Sequence, residues 1–442
     1  MKSNQLTVGL LTPYSGGNLG DGAIQEAVIR NLKRRIPNLL IYGITLHPED
    51  TEIRHNILSF PLCGYYNEHY SLFSSKNNIE SSGSPDQKTN LWVWLKLKTK
   101  NSPAAYRLLK PLYRKIYLAF KEIAHVVAAY KLSKRLDLVA VSGGGQLDEY
   151  WGGPWGHPYV LFKWGLLAKM TRTKFIMISV GKSTVDSSLS RFFIKWALKL
   201  SAYRSYRDEV SKKLLDNYSF TRNDPIFPDL VFSLPIDQFL KQKDTEASPG
   251  LVGVSPIAYY DPRFWPKQDA FIYGRYISTL ASFVSWLLLK EYRVLFFSTD
   301  GPDRETINDI ISILKNEQFA NLQKRIMCPA TSTVEDLLSC VSKVNFVVAS
   351  RLHAVKLSHM LNKSVLAISY ERKVDTYMGD MGQSEYCVGI ETFDLEPLIA
   401  KFTRLLGERV NISADVKKRV EAYGKALQDQ YDKVCKGFKG SL

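Results

Sequence analysis

The stretch that most constrains this chain is residues 345–373, NFVVASRLHAVKLSHMLNKSVLAISYERK. It opens with an apolar run, Phe346 to Ala349, of the length and character of a buried strand. After Ser350, Arg351, Leu352 and His353, apolar residues recur at Ala354, Leu357, Met360 and Leu361, the spacing of one helix face. A polar turn, Asn362-Lys363-Ser364, leads to a second apolar run, Val365 to Ser369. Strand, helix and strand in this order form a crossover that sets two strands side by side and parallel. Ligands of parallel sheets bind beyond the carboxyl ends of the strands. Ser350, Arg351, Leu352 and His353 therefore stand where the first strand hands over to the helix. An arginine, a histidine and the open N–H groups of a helix start together suit an anionic oxygen ligand. The same residues also read as an ordinary helix start, with Ser350 as cap and Arg351 in a surface ion pair. Spacing alone leaves both readings open.

The rest of the chain repeats the alternation. Residues 5–12 (QLTVGLLT) read as a buried strand, followed by a glycine-rich turn and a helix from about Ala23 to Lys33. That turn holds Asn18, Gly20 and Asp21; its glycines let backbone come close to a ligand at a helix N-terminus. It is neither a P-loop nor a G-x-G-x-x-G turn, and Asp21 could simply cap the helix. Leu39 to Leu46 gives a second strand; from Pro48 to about Asn90 no clear period remains, and residues 74–90 read as a flexible loop. Leu136 to Ser142 is a further strand, ending in Gly143, Gly144 and Gly145, again a place for close backbone approach. In the Trp/Gly/Pro-rich segment after it, Trp151, Trp155 and His157 read equally as a wall against a sugar ring or as loop packing. Strands at 174–181 and 203–207 and a helix at 190–200 follow; Arg207 opens another helix, with Asp208 and Glu209 in its first turn.

A polar segment at 233–250 reads as a linker, after which strands and helices alternate again from Leu251. The plan is thus α/β: a Rossmann-like first half (1–232), a linker (233–250), a Rossmann-like second half (251–394), and a helical, basic tail (395–442) packing back across both. Two such halves facing a cleft make a GT-B-like architecture. The length of 442 residues agrees with two domains rather than one core.

Charge narrows the partners. The net charge of +16 points to an anionic one: nucleic acid, a membrane face or a phosphorylated substrate. Between Leu91 and Arg135 eleven Lys and Arg stand against one acid, Glu122, interleaved with aromatics such as Trp92, Trp94 and Phe120. We read this part of a variable 63–135 insertion as one or two amphipathic helices broken near Pro103 and Pro111. It is either a solvated basic surface or a surface for peripheral contact with an anionic membrane. No helix-turn-helix, RRM or zinc module supports nucleic acid. Five scattered cysteines without a C-x-x-C pair fit a reducing compartment, and neither a signal peptide nor a membrane-spanning run is evident. A cytoplasmic location, with peripheral attachment at the inner membrane face as an option, is the expectation.

Several separated segments together resemble the polysaccharide pyruvyl transferase family. They are Gly17-Asn18-Leu19-Gly20-Asp21 with Ala23-Ile24, Ser142-Gly143-Gly144-Gly145, Ser179-Val180-Gly181, Arg207-Asp208 with Ser211, Pro228-Asp229-Leu230, and Ser350-Arg351-Leu352-His353-Ala354. Ser369-Tyr370 and Lys373-Val374 complete a series that spans about residues 8 to 375 in the family's order. The resemblance implies a GT-B-like transferase moving pyruvate from phosphoenolpyruvate to a sugar, usually as a ketal bridging two hydroxyls. The acceptor would be a polysaccharide or a repeat unit on a polyprenyl-diphosphate carrier. It further implies that Arg351 and Arg207 clamp phosphoenolpyruvate, with Ser350, Leu352, Asn18, Gly20 and Gly143 to Gly145 around the substrates. His353 would shuttle protons near neutral pH and Asp21 would act as base toward the acceptor. No metal or redox cofactor is called for, phosphoenolpyruvate being a co-substrate. The alternative enzyme reading is a GT-B nucleotide-sugar glycosyltransferase; a catalytically dead assembly protein would be expected to lose the Arg351/His353 pair, which is intact.

Overall fold

The computed structural model describes residues 5–13, 16–65, 103–149, 152–182, 185–216, 223–240, 250–265, 267–315, 323–392 and 394–439. The loop read at 74–90 and the residues Trp92, Trp94 and Trp151 lie outside the described residues.

Two six-stranded sheets carry the fold. The first contains β1 (Thr7–Leu11), β2 (Leu40–Thr45), β3 (Leu58–Pro61), β4 (Leu138–Ser142), β5 (Lys174–Val180) and β6 (Tyr203–Tyr206), in the order β3-β2-β1-β4-β5-β6. The second contains β7 (Leu251–Ser255), β8 (Arg293–Phe296), β9 (Ile326–Met327), β10 (Phe346–Ala349), β11 (Ser364–Ser369) and β12 (Cys387–Gly389), in the order β12-β11-β10-β7-β8-β9. Every pairing is parallel, and each sheet has the Rossmann order, reversing direction between its first and fourth strands. Parallel sheets are covered on both faces, which is why their strands are near-continuous apolar runs. The sheets even share a central glycine. A Cβ on Gly9 of β1 would stand 2.7 Å from Leu136 Cδ1, and one on Gly253 of β7 3.1 Å from Phe297 Cε1.

The helices in chain order are α1 (Leu19–Arg35), α2 (Pro48–His55), α3 (Pro103–Ser133), α4 (His157–Thr171), α5 (Ser188–Leu200), α6 (Glu209–Asp216) and α7 (Asp237–Leu240). Then come α8 (Ala270–Leu289), α9 (Gly301–Leu314), α10 (Val334–Ser342), α11 (Leu352–Met360), α12 (Arg372–Asp380) and α13 (Leu395–Lys439). Local chemistry marks many of their starts. Asp269 accepts from the N–H groups of Phe271 and Ile272 to cap α8, and Thr333 with Asp336 forms a capping box on α10.

The sequence reading needs two corrections here. The segment after Pro48 is not without structure: Pro48 opens α2, Glu49 and Asp50 stand in its first turn, and Asn56 ends it in a left-handed conformation. Eight residues are too few to display a helical period. The basic segment is not broken at Pro111 either. Pro103 stands at the start of α3, where its missing N–H costs nothing, and the helix runs through Pro111 to Ser133.

One apolar cluster lies on the α1 face of the first sheet and continues through the whole second sheet. A second fills the opposite face of the first sheet, under α3, α4 and α5. The long helix α13 ties the ends together. Its Phe402 packs against Phe283 and Phe346 of the second half, while its Gln430 bonds Ser179 and Ser205 and its Asp432 pairs with Arg35 of the first.

Candidate functional site

A parallel sheet that reverses its strand order leaves a crevice at the reversal, beyond the strand ends. Here the two crevices, after β1/β4 and after β7/β10, open into one cleft of about 2360 Å³. The halves touch at its base, where the Leu19 N–H donates to Thr299 O at 2.8 Å.

The turn before α1 is held by Asn18, whose Oδ1 accepts from the N–H groups of Gly20 (3.0 Å) and Asp21 (3.1 Å). Asn18, not Asp21, is therefore the helix cap. That frees the Asp21 carboxyl to face the cleft. Burial, with repulsion from Asp300 and Asp229 outweighing Lys373 and Arg351, raises its pKa to about 6. On the other wall, His353 lies directly over Gly20: a Cβ on that glycine would fall 2.2 Å from His353 Nδ1. Burial lowers the His353 pKa to about 3, with Lys356, Arg207 and Lys373 adding to the effect against the pull of Asp229. The imidazole is thus held neutral by burial, and its Nε2 is buried without a hydrogen-bond partner. Burial thus moves His353 away from the near-neutral range given to it from sequence. Asp21 is the group poised there.

The cations are fixed by acids. Arg351 makes a two-pronged pair with Asp303, Nε to Oδ2 and Nη2 to Oδ1, each at 2.8 Å, and its Nη2 also lies 3.3 Å from Asp300. Burial works against its charge, but Asp303 and Asp300 outweigh it and keep the guanidinium protonated. One edge of the expected anion clamp is therefore engaged within the protein. Arg207 bonds Asp208 through Nε at 3.2 Å and approaches Asp229 at 3.8 Å, with its guanidinium pressed on Gly181. Asp229 in turn is paired with Lys356 at 2.6 Å, both side chains almost wholly buried. Burial opposes the charge on Asp229, yet Lys356, His353 and Arg207 prevail and hold it well below the carboxylate range. Lys373 completes the set, 2.8 Å from Glu371 at the cleft wall.

The structure thus brings Asn18, Asp21, Gly143, Gly144, Gly145, Arg207, Arg351, Leu352 and His353 to one cleft. Two residues read from sequence as substrate contacts do not line it. Ser350 is fully buried and neither caps α11 nor faces solvent; its Oγ shares a 2.9 Å hydrogen bond with the Tyr276 hydroxyl. Gly20 lies behind the wall, its N–H taken by Asn18, and serves to make room for His353. The Gly143 N–H is likewise taken, by Ile178 O, so among the three glycines only Gly144 and Gly145 retain the proposed part of backbone donors.

Of the residues read equally as a sugar wall or as loop packing, Trp155 lines the cleft and His157 packs. His157 is buried, bonded through Nε2 to Gln146 Oε1 at 2.7 Å, and so serves packing; Trp155 sits exposed at the rim against Tyr159 and Phe193. A larger aromatic cluster, Tyr259, Tyr260, Trp265 and Tyr370, faces the cleft from the second half. Sequence reasoning also passed over Asp303, Asp300, Lys356 and Lys373 as functional residues. Lys356 carried a signal: it stands three residues after His353 on one helix, so the two share a face.

The family model for polysaccharide pyruvyl transferase matches residues 18–372 of the chain. No curated protein matches it in sequence. Among solved structures, the UDP-GlcNAc 2-epimerase of Methanocaldococcus jannaschii is similar at a TM-score of 0.53 and 10% identity, over 91% of this chain and 92% of that one. The UDP-GlcNAc 2-epimerase of Neisseria meningitidis bound to UDP-GlcNAc gives a TM-score of 0.53 at 12% identity, over 98% and 100% of the two chains. The Anabaena protein HepE in complex with UDP gives 0.51 at 10% identity, over 99% and 100%. At such identities the likeness shows the fold, a GT-B-type pair of Rossmann-like halves.

Proposed function

The chain belongs to the polysaccharide pyruvyl transferase family, and from that premise we propose that it moves pyruvate from phosphoenolpyruvate onto two hydroxyls of a sugar, forming a cyclic ketal. The acceptor would be a polysaccharide or a lipid-linked repeat unit. The observation that carries this reading is the convergence of Arg207, Arg351 and Lys373 on the cleft that also holds Asp21 and His353. A donor with a phosphate and a carboxylate needs fixed cations at two places, and planar guanidinium groups suit both. The cleft volume of about 2360 Å³ far exceeds what a three-carbon donor fills, leaving room for more than one sugar ring beside the aromatic wall.

The chemistry follows from the charges. The methylene carbon of the donor takes a proton, and its neighbour becomes an oxocarbenium-like centre that one sugar hydroxyl attacks. Phosphate leaves, taking one hydroxyl proton in the net balance, and the second hydroxyl closes the ketal. Asp21, ionised at neutral pH with its pKa of about 6, is the base toward the acceptor hydroxyl. His353 is neutral until the donor arrives. The donor's negative charges then raise its affinity for a proton, which makes it the acid for the methylene carbon. Binding of phosphoenolpyruvate thus loads the acid that its own turnover needs.

The test is phosphate release from phosphoenolpyruvate against a panel of galactose, mannose, glucose and N-acetylhexosamine acceptors, with His353→Gln as control. Acceptor-dependent release that the substitution removes supports the reading. No release with any acceptor, together with a thermal shift from UDP or GDP but none from phosphoenolpyruvate, would replace it with a nucleotide-sugar glycosyltransferase.

A further inference from the structure

The helices α3, α4 and α5 lie side by side on one face of the first sheet, each with an inner stripe in the core beneath. Each also carries a second apolar stripe, on the outside. On α3 it is Ile116, Phe120, Ile123 and Val127, spaced by four, three and four residues and exposed by 47, 68, 61 and 51%. On α4 it is Leu166 and Met170, and on α5 Phe192 and Trp196, all exposed. Phe162 and Phe192 meet at 6.3 Å, so the stripes of α4 and α5 adjoin, and a shallow apolar groove of about 360 Å³ joins α4 to α3. Single exposed apolar residues need no explanation, but a continuous patch across three helices does.

The charges of the same face run one way. Across the three helices the only acid is Glu122, and it is turned inward onto Lys163 at 2.7 Å. The outer positions carry Arg114, Lys115, Lys131, Lys169, Arg191 and Lys199, all exposed. Lys199 lies over the Trp196 ring at 5.2 Å and Lys121 over Tyr117 at 4.8 Å, stems along apolar surface and charges outward.

We propose that this face docks on an anionic lipid bilayer, with its apolar stripes among the acyl chains and its cations among the headgroups. Apolar and aromatic side chains flanked by lysine and arginine, with no outward acid on the three helices themselves, are the chemistry of a helical surface that lies in a membrane interface. A second copy of the chain would bring two cationic faces together, which their mutual repulsion opposes. Among the described residues no helix is long and apolar enough to cross a bilayer, so the contact is one of lying on the surface. The sequence reading considered such contact for the 91–135 segment alone; the face proposed here extends to Lys199. Lys115, Ile123 and Trp155 line both this side and the cleft. An acceptor sugar whose lipid rests in the same bilayer would therefore reach the cleft at its rim, a consequence that rests on the function proposed above, whereas the docking itself does not.

Flotation of the full chain with vesicles tests the docking, without donor or acceptor present, so that its result is independent of the transferase reading. Vesicles of equal parts phosphatidylcholine and phosphatidylglycerol should carry the chain up the gradient. Phosphatidylcholine alone should carry about tenfold less, and high salt should weaken the binding. Replacing Phe120→Ser, Phe192→Ser and Trp196→Ser together should lower binding to the anionic vesicles by about tenfold or more. Melting at the parent temperature would show the variant folded; if it does not fold, Phe120→Ser and Met170→Ser singly take its place, each with a partial loss expected. No flotation with the anionic vesicles, or flotation that these substitutions leave unchanged, would overturn the proposal. So would a dimer in vesicle-free solution that the triple variant dissolves, since a second copy would then cover the face.

Discussion

Between β1 and β4 of the first sheet the chain places glycines; between β7 and β10 of the second it places charges. The two sheets have the same strand order and the same glycine in the central strand, so the topology offers the same crevice twice. In the first, Gly143 and Gly144 take left-handed conformations, with φ of +50° and +71°, and keep the floor low; Asp21 is the lone ionisable group that the turn before α1 turns toward the cleft. In the second, Arg351, His353 and Lys373 crowd the strand ends, and Asp300 and Asp303 at the start of α9 hold Arg351 in place. The difference teaches a division of labour. The first half supplies space, backbone and Arg207, the second most of the fixed charge, and the two are coupled because Asp21 owes its raised pKa partly to Asp300 across the cleft.

The hardest blow to the charged side is Arg351→Ala. It leaves Asp303, fully buried, without its guanidinium, at a cost of about 3–5 kcal/mol in urea unfolding. Phosphate release should fall by about a thousandfold or more. Arg351→Met with Asp303→Leu separates the two effects, since stability should largely return while activity stays lost. If activity returned as well, Arg351 would be a structural residue only.

Gly20→Ala attacks the boundary between the halves. The new methyl would meet His353 at 2.2 Å, so the imidazole must move, and kcat should drop by about a hundredfold. Far-ultraviolet circular dichroism should stay that of the parent. An unchanged kcat would take His353 out of the chemistry.

Asp21→Asn tests the glycine side, through pH. The folded chain raises this carboxyl from 3.8 to about 6, so it holds the proton more tightly than the unfolded chain does. The stabilisation from that proton is complete below pH 3.8 and is lost as pH rises through about 6. A two-unit shift is worth up to about 3 kcal/mol, less where solvent reaches the cleft. The asparagine variant should therefore gain stability over the parent at pH 8 but not at pH 3, and should lose the rise of kcat/KM through pH 6. An equal gain at both pH values would mean that ionisation has no part in it. The smallest effect belongs to Gly144→Ala, which forces a side chain into the left-handed region at about 1 kcal/mol and should leave turnover within about tenfold. A loss as large as that of Gly20→Ala would show that its backbone meets the donor directly.

The unit β10–α11–β11 was readable because a buried parallel strand is a bare apolar run and the helix after it keeps a strict period. The glycine turns were readable too, since strand ends in such sheets are where ligands sit. What escaped were relations between distant residues. Asp303 looks like an ordinary acid in a first helical turn, and nothing local ties it to Arg351, forty-eight residues on. Ser350 looks like a cap until Tyr276 is brought beside it, and His157 reads equally as a wall for a sugar or as packing until Gln146 folds onto it. Pro111 looks like a break, and α2 was too short to announce itself. The pKa values of Asp21 and His353 are likewise properties of the assembled cleft, set by burial that no single segment encodes.

Lys356 of the second half stands on Asp229 of the first at 2.6 Å, both side chains buried. Pulling them apart would strand two unsolvated charges, at about 3–5 kcal/mol before any other contact is broken. The pair works as a rivet. Any motion that parts the halves at this point therefore carries that cost, while a motion that keeps the pair together does not.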